Sequence, residues 1–313
     1  MIIRQLISHQ SLLGWWSRLS VTAIVIALFF AYDFDKPRIA NAQNPETEIT
    51  GKIINGTHGG NVPADTEVLL LAIDLVNNQI IEEASTLTDE YGIFRFNNVV
   101  HRSGVNFRVV ANTGTHTPTV DMQLVENWQA VELTIYDETT SLEQIIIKSY
   151  VLMVPTINAR EREAGVLSVI NLDNAGDRVW IPDLKNPNLT GLDLFRFNLP
   201  LGYKDLSVES ELPPGNILDI ATGFAMTNPI PPGDATILIS YIVPYKGDGF
   251  DFTLKLPYGA TQIRMLLTDE AGFIKADKLD PTEPVTVADS IFNAVEGGNF
   301  SVNERITISF RGM

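Results

Sequence analysis

The chain has 313 residues, of which 45% are apolar and 19% are charged, and its formal net charge is −16. This balance is typical of a folded globular protein and excludes a largely disordered chain. The strong negative charge disfavours nucleic acid as a partner. The chain contains no cysteine, which excludes disulfides, thiol catalysis and cysteine-ligated zinc or iron–sulfur centres.

The first 42 residues have the layout of a secretory signal peptide. A basic, acid-free segment leads into an apolar run at residues 21–32, and residues 40–42 (Ala-Asn-Ala) supply a small-x-small cleavage site before Gln43. The apolar run is shorter than the about 20 residues of a comfortable membrane span. Cleavage would leave Gln43 at the N-terminus, whereas an uncleaved anchor helix would keep Met1 and attach the protein to a membrane through residues 21–32. Both alternatives predict an extracytoplasmic protein that is secreted, periplasmic or at the cell surface.

Residues 47–136 are predicted to form the first of two antiparallel β-sandwich domains in tandem. About seven short apolar or alternating segments are separated by turns rich in Gly, Asn and Asp. The clearest predicted strands are Ile49–Ile54, Val68–Leu75, Ile80–Leu87, Ile93–Phe96, Asn106–Ala111 and Ala130–Tyr136. The acidic residues within Ile80–Leu87 predict that one face of that strand is exposed to water.

Four segments of this first domain resemble the carboxypeptidase regulatory-like family. They are residues 51–53 (GKI), 59–63 (GGNVP), 68–70 (VLL) and 88–96 (TDEYGIFRF). The family pattern has a G-x-V opening strand, a core strand preceded by proline, and the block T-D-x-x-G-x-F-x-F, and Ile53 replaces the usual valine. The resemblance implies a transthyretin-like (prealbumin-type) sandwich that acts as a non-catalytic accessory or adhesive module. Some relatives with this carbohydrate-binding-like fold bind sugars, but the resemblance carries over no sugar-binding residue.

Residues 144–313 are predicted to form the second β-sandwich domain. Its predicted strands are Ile145–Val154, Gly165–Asn171, Phe195–Pro200, Ala235–Val243, Phe250–Pro257, Gln262–Leu267 and Arg305–Phe310. Two of them end alike, in FRFNLPLG at residues 195–202 and LKLPYG at residues 254–259. A hairpin at each place is the favoured interpretation, and a weak internal repeat is the alternative. This region loosely resembles uncharacterised bacterial envelope proteins.

The chain carries no motif typical of an enzyme or of a resident cofactor. His9, His58, His101 and His116 lack the spacing of metal ligands, and the last three are expected to be surface loop residues. No nucleophile elbow, phosphate-binding glycine loop or EF-hand loop is present. We therefore expect no catalytic residue, no cofactor and no metal site.

Acidic residues cluster at two places in the second domain. The members are Asp173, Asp177, Asp183 and Asp193 at one place, and Asp248 and Asp251 at the other. Paired carboxylates serve glycoside hydrolysis or calcium binding. Residues 173–177 (DNAGD) are the nearest approach to a calcium loop, and a solvated turn is the favoured interpretation.

Two tryptophans and three glycosylation triplets complete the candidate binding features. Trp180 lies in an apolar run and is expected in the core, whereas Trp128 has polar neighbours and is the candidate for a sugar-binding platform. The triplets begin at Asn55, Asn188 and Asn299.

The sequence as a whole predicts a non-catalytic exported cell-envelope protein that binds or scaffolds. Its expected partner is an envelope protein or a glycan. A carbohydrate-binding module protein and an accessory subunit of a membrane or peptidase complex remain the alternatives.

Overall fold

A computed structural model describes residues 46–100, 102–114, 116–122, 130–186, 188, 190 and 193–313. The predicted signal or anchor segment, His101 and Trp128 lie outside these residues. Residues 46–313 form one compact unit, whose described residues include 22 strands and one 3-10 turn at Asp269–Ala271. The predicted all-β sandwich class is confirmed.

Within the described part of the chain, no helix has the length and hydrophobicity to span a membrane.

Seven strands between residues 46 and 135 pack around one apolar core. They are β1 (Glu46–Asn55), β2 (Glu67–Asp74), β3 (Gln79–Leu87), β4 (Ile93–Val100), β5 (Val105–Asn112), β6 (Thr119–Met122) and β7 (Val131–Ile135). They form two sheets with the strand orders β4-β1-β7 and β3-β2-β5-β6. All neighbouring strands are antiparallel except β1 and β7, which are parallel. Both sheets contribute to a single core that includes Ile53, Val68, Phe94 and Val109.

The block at residues 88–96 forms a turn that its own side chains stabilise. Asp89 Oδ1 accepts hydrogen bonds from the backbone amides of Tyr91 and Ile93, both at 2.9 Å. Gly92 takes a φ of 77°, a conformation that costs glycine little and other residues much more. The aspartate and the glycine of the T-D-x-x-G pattern therefore account for the geometry of this turn.

The glycine of the opening strand makes room for the aromatic residue that follows this turn. Phe94 is 1% exposed and lies opposite Gly51 in the β1–β4 register. A Cβ atom at Gly51 would lie 2.2 Å from Cζ of Phe94, far inside van der Waals contact. Two segments that resemble the regulatory-like family thus touch each other directly.

Strand β3 differs from its prediction. It forms the edge of its sheet beside β2, and almost every position is exposed. Ile80 and Ile81 are 58% and 48% exposed. The expectation of a single wet face is wrong, because the facing three-stranded sheet is too narrow to cover this edge strand.

Fifteen further strands follow in the remainder of the chain. They are β8 (Glu138–Thr139), β9 (Ile145–Asn158), β10 (Glu163–Asn174), β11 (Val179–Trp180), β12 (Phe195–Asn198), β13 (Lys204–Ser210), β14 (Ile217–Asp219), β15 (Gly223–Met226), β16 (Gly233–Pro244), β17 (Gly249–Leu256), β18 (Ala260–Thr268), β19 (Phe273–Ala276), β20 (Asp280–Val287), β21 (Ser290–Phe300) and β22 (Glu304–Arg311).

The second core lies on one face of a seven-stranded sheet with the order β13-β16-β10-β9-β18-β21-β20. Two three-stranded sheets, β12-β15-β14 and β17-β22-β19, cover that face. The side chain of Asn198 joins these two sheets, because it donates to the Thr253 carbonyl and accepts from the Lys255 amide, both at 2.8 Å. This core shares no residue with the first one. The division into domains at 47–136 and 144–313 nevertheless stays a prediction, since residues 46–313 form one compact unit.

The two similar strand ends are corners between sheets, and the favoured hairpin interpretation is wrong. β12 pairs with β15, whereas β13 pairs with β16. In the same way β17 pairs with β22, whereas β18 pairs with β9 and β21. Gly202 and Gly259 have φ values of 78° and 67°, so each corner uses a glycine to turn the chain from a three-stranded sheet into the seven-stranded one.

Gly92 and Gly104 form a matched pair for testing the turn at residues 88–96. Their φ values are 77° and 80°, but a Cβ atom at Gly92 would lie 2.6 Å from the Ile53 carbonyl oxygen, whereas one at Gly104 meets nothing within 4 Å. Gly104→Ala carries only the backbone strain, about 1–2 kcal/mol. We expect Gly92→Ala to lower the free energy of unfolding by at least about 1 kcal/mol more, because overpacking adds to that strain. Urea denaturation measures both, and equal losses would contradict this account of the turn.

Candidate functional site

Three segments meet between the two apolar cores and form what we call the junction. They are the turn at residues 55–60, the connection at residues 136–144 and the loop at residues 174–180. The first belongs to the sandwich of β1–β7, the second joins the two regions, and the third follows β10. Their contacts are polar and mostly involve backbone groups.

The Thr57 hydroxyl is at the centre of the junction. It donates to the Asp177 carbonyl oxygen at 2.7 Å and accepts from the Asp137 backbone amide at 2.9 Å. Thr57 is only 4% exposed, so these backbone groups would be left unpaired without it. A single buried hydroxyl therefore links all three segments.

Two carboxylates surround this hydroxyl and reinforce the same contacts. Asp177 Oδ2 accepts from the His58 backbone amide at 2.9 Å, and Asp137 Oδ1 accepts from Asn55 Nδ2 at 2.9 Å. Arg178 Nη1 lies 3.7 Å from Asp137 Oδ2, an exposed ion pair that contributes little. The hydrogen bonds to the backbone give the junction most of its specificity.

A short parallel pairing extends the junction into the second core. β8 pairs with β11, which places Trp180 beside Thr139. Trp180 is fully buried, and its Nε1 donates to the Thr140 carbonyl oxygen at 3.2 Å. The predicted core position of Trp180 is confirmed, and this tryptophan anchors the connection to the second apolar core.

An open cavity of about 570 Å³ lies at the junction end of the first sandwich. Its charged lining side chains are all carboxylates: Asp65, Glu67, Asp137 and Glu138. Amide and hydroxyl side chains and the ring of Tyr136 complete much of the wall. We call this cavity the acidic pocket.

His116 lines the acidic pocket from the loop between β5 and β6. It lies in a loop, but it is 8% exposed, so the expectation of a surface residue is wrong. Burial lowers its pKa below the ordinary value of 6.5, and the nearby Glu138 charge opposes that shift. The ring is therefore neutral at neutral pH.

Hydrogen bonding to Thr113 fixes the protonation state of the two ring nitrogens of His116. Thr113 Oγ1 donates its single hydrogen to the His116 carbonyl oxygen at 2.6 Å. It lies 3.1 Å from His116 Nδ1, so at that contact the hydroxyl oxygen accepts and Nδ1 carries the proton. The other nitrogen, Nε2, is then a hydrogen-bond acceptor, and it is buried without a partner.

The structure does not bring the predicted carboxylate clusters together. Asp173 faces Lys148 at 3.4 Å, and Asp177 belongs to the junction. Asp193 accepts from the amide and hydroxyl of Thr190, which lower its pKa. The residues 173–177 form a turn, in which Asn174 Oδ1 accepts from the Gly176 amide at 3.0 Å.

The second acidic cluster is also structural. Asp251 accepts from Ser309 Oγ at 2.6 Å and from Arg311, and these hydrogen bonds lower the pKa of its carboxyl. Asp248 contributes its carbonyl oxygen to the amides of Gly312 and Met313. Within the part of the chain that the structure describes, no three His, Asp or Glu side chains are grouped as a metal site would require.

The residues of the acidic pocket were missed at the sequence level. Asp137 and Glu138 follow directly after the last predicted strand of the first domain, and Asp65 and Glu67 precede its second strand. These positions fall at one end of the sandwich because β1 and β7 end where β2 begins. The sequence does not show that these four residues are neighbours, because their proximity follows only from the order of the strands.

A second cavity of about 270 Å³ lies between β12 and β17. Its lining includes Arg196, Lys255 and Arg305 as well as Glu304. The charged side chains that line the first cavity are therefore acidic, and those that line the second are mostly basic.

No protein-family profile matches the chain, and no curated protein sequence is significantly similar to it. Among solved structures, an M1 zinc metallopeptidase from Deinococcus radiodurans is 10% identical, with 54% of this chain and 42% of that chain covered and a TM-score of 0.31. The full-length major pilin SpaD from Corynebacterium diphtheriae is 11% identical, with 88% and 83% covered and a TM-score of 0.24. The major pilin SpaA from the same species is 11% identical, with 85% and 84% covered and a TM-score of 0.23. The chain spans less than half the length of the metallopeptidases that it matches, and none of these TM-scores is high enough to carry an inference.

Thr57→Val tests the junction, because valine keeps the shape of threonine and removes its hydroxyl. We expect the variant to lose about 1–3 kcal/mol of unfolding free energy, since the Asp137 amide and the Asp177 carbonyl lose their buried partner. Thr57→Ser keeps the hydroxyl and is the control. Chemical denaturation measures the loss, and a Thr57→Val protein as stable as Thr57→Ser would show that the hydroxyl does not stabilise the junction.

The lowered pKa of His116 predicts a pH dependence of stability. The unfolded state binds a proton near pH 6.5, whereas the folded state resists it, so stability is fully present above 6.5 and falls as the pH drops below that value. His116→Gln stays neutral and should lack this component. Urea denaturation at several pH values between about 7.5 and 5.5, on either side of the ordinary histidine pKa, compares the two slopes. Identical slopes for the two proteins would contradict the burial of a neutral His116.

Proposed function

We propose that this chain is a non-catalytic exported cell-envelope protein whose two β-sandwich domains act as a rigid binding or scaffolding module. The junction carries the proposal. A flexible tether between two domains needs no buried hydroxyl, no paired β8 and β11 and no anchoring tryptophan. This chain has all three, which favours a function that depends on a fixed arrangement of two surfaces.

Two further observations support a module that binds and does not catalyse. Four of the six carboxylates considered for hydrolysis or calcium binding are engaged in turns, ion pairs and the junction: Asp173, Asp177, Asp193 and Asp251. The acidic pocket is open to solvent and lined mostly by loop residues at one end of a sandwich, the usual position of a recognition surface on a β scaffold. The signal-like layout of residues 1–42 supports export.

We also propose that residues 47–136 are a carboxypeptidase regulatory-like domain. The turn formed by Asp89 and Gly92 and the packing of Phe94 against Gly51 give a physical reason for the two most specific parts of that pattern. A domain of this kind fits an accessory role in a larger assembly, including a membrane or peptidase complex. The glycan alternative depends on Trp128, which lies outside the described residues, because Trp180 is buried and cannot serve as a platform.

Partner capture with junction variants tests the scaffolding proposal. The full chain, tagged at its C-terminus, is expressed in its source cells, cross-linked and recovered from the solubilised envelope. We expect one defined protein to be recovered in stoichiometric amounts with the wild type and with Thr57→Ser. Recovery should fall with the double variant Thr57→Val, Asp177→Asn, which weakens the junction.

Two results would overturn the proposal. One is a chain found in the cytoplasmic fraction. The other is a chain that is exported but recovers no protein in stoichiometric amounts. Circular dichroism of the double variant shows whether its sandwiches remain folded, so that a lost interaction is not mistaken for a lost fold.

A further inference from the structure

The acidic pocket offers acceptors and negative charge and almost nothing else to a ligand. Four of its lining side chains are carboxylates, and the lining contains neither lysine nor arginine. Two of the carboxylates are hydrogen-bonded by neutral amides: Glu67 accepts from Asn112 Nδ2 and Asp137 accepts from Asn55 Nδ2, both at 2.9 Å. An amide donor satisfies a carboxylate lone pair but leaves its charge in place. Arg178, which lies outside the lining, is 3.7 Å from Asp137 and offsets part of that charge. The other carboxylates have no basic side chain in the lining beside them, so the pocket keeps a negative potential.

His116 adds an independent requirement for a hydrogen-bond donor. Its Nε2 is an acceptor, because Nδ1 carries the proton, and it is buried without a partner. An unpaired buried acceptor is unfavourable, so it marks a place where a partner is missing. A ligand donor that enters the pocket would satisfy Nε2 directly or through one bridging water.

The spread of the carboxylates argues against a bare metal ion. No group of three His, Asp or Glu side chains in the described residues converges closely enough to hold one. Acceptors distributed over a cavity of about 570 Å³ instead match an extended cation with several donors. The guanidinium group is such a cation: it has five N–H donors in a plane, stays charged at any physiological pH and stacks on aromatic rings such as that of Tyr136.

We propose that the acidic pocket binds the guanidinium group of an arginine side chain on a partner protein. This inference rests on the binding function proposed above and names the chemistry by which the first sandwich recognises its partner. Asp65, Glu67 and Asp137 supply the negative charge, and His116 accepts a hydrogen bond at the buried wall. The net charge of the whole chain, −16, steers a basic partner toward the same end of the molecule.

The test uses the full chain and two short peptides, acetyl-Gly-Arg-Gly-amide and its citrulline analogue. Citrulline has nearly the same shape as arginine but no charge. We expect the arginine peptide to bind with a dissociation constant on the order of millimolar, measured by NMR titration at a pH above 6.5. Binding should shift the ¹⁵N resonance of His116 Nε2, and the citrulline peptide should bind weakly or not at all.

Binding of the arginine peptide should also weaken as salt rises from about 0.01 M to about 0.15 M, because the Debye length falls from about 30 Å to about 8 Å.

Matched variants locate the site. Asp65→Asn and Glu67→Gln each remove one charge from the pocket and keep the hydrogen-bonding shape of the side chain. Asparagine tolerates the positive φ of 56° at position 65. Each variant should weaken the arginine peptide by about two- to fivefold, the range measured for exposed ion pairs. Glu83→Gln and Glu90→Gln remove exposed charges of the same sandwich outside the pocket and should leave binding unchanged.

Equal binding of the two peptides would overturn the proposal, and so would equal losses from pocket and control variants. The partner-capture experiment separates this inference from the function on which it rests. If Asp65→Asn, Glu67→Gln protein recovers its partner as well as the wild type does, the scaffolding function stands and the pocket is not its recognition site.

Discussion

The arrangement of the two regions depends on a polar junction that is centred on one buried hydroxyl. Thr57 bonds to the backbone of Asp137 and of Asp177 at the same time, so it joins the first sandwich, the connection and the second region at a single point. Neither apolar core reaches the other. Hydrophobic burial therefore folds each region, and directional hydrogen bonds determine how the two regions are held together. The junction is relevant to function, because the acidic pocket lies beside it and Asp137 belongs to both.

Much of the fold is predictable because local rules and packing agree in many segments. The block TDEYGIFRF encodes its turn through Asp89 and Gly92 and its core strand through Phe94, so one stretch specifies both elements. The apolar neighbours of Trp180 in the sequence predict that it lies in the core. Where local rules and packing disagree, prediction fails. The acidic residues of β3 suggest a strand with one exposed face, but both faces of this edge strand are exposed to solvent. The strands that end at Pro200 and Pro257 were expected to continue into hairpins. The sequence shows where the chain turns, but it does not show which sheet contains the next strand.

The candidate site is less predictable than the fold, because it is assembled from three segments that are distant in sequence, at residues 55–67, 112–116 and 135–138. Asp65, His116 and Asp137 carry no common motif, and each is an ordinary loop residue by its neighbours. The parallel pairing of β1 with β7 brings their ends together. The sequence of neither strand predicts that pairing. The buried state of His116 depends on the same closure. The sequence analysis selected acidic residues that are close to one another along the chain. In the structure the acidic residues of the pocket come from separate segments, so closeness along the chain did not identify the site.

The parallel pairing of β9 with β18 has a consequence for the order in which the second sandwich can fold. It joins Ser149–Val154 to Gln262–Leu267, so the middle of the seven-stranded sheet cannot close until most of the chain is present. Contacts this distant make folding slow. A chain synthesised from its N-terminus can complete the sandwich of β1–β7 early, whereas β9 and β10 keep unpaired edges until β18 and β16 have been made. Unpaired strand edges favour aggregation, so the C-terminal half is the part of this chain that most needs protection while it folds.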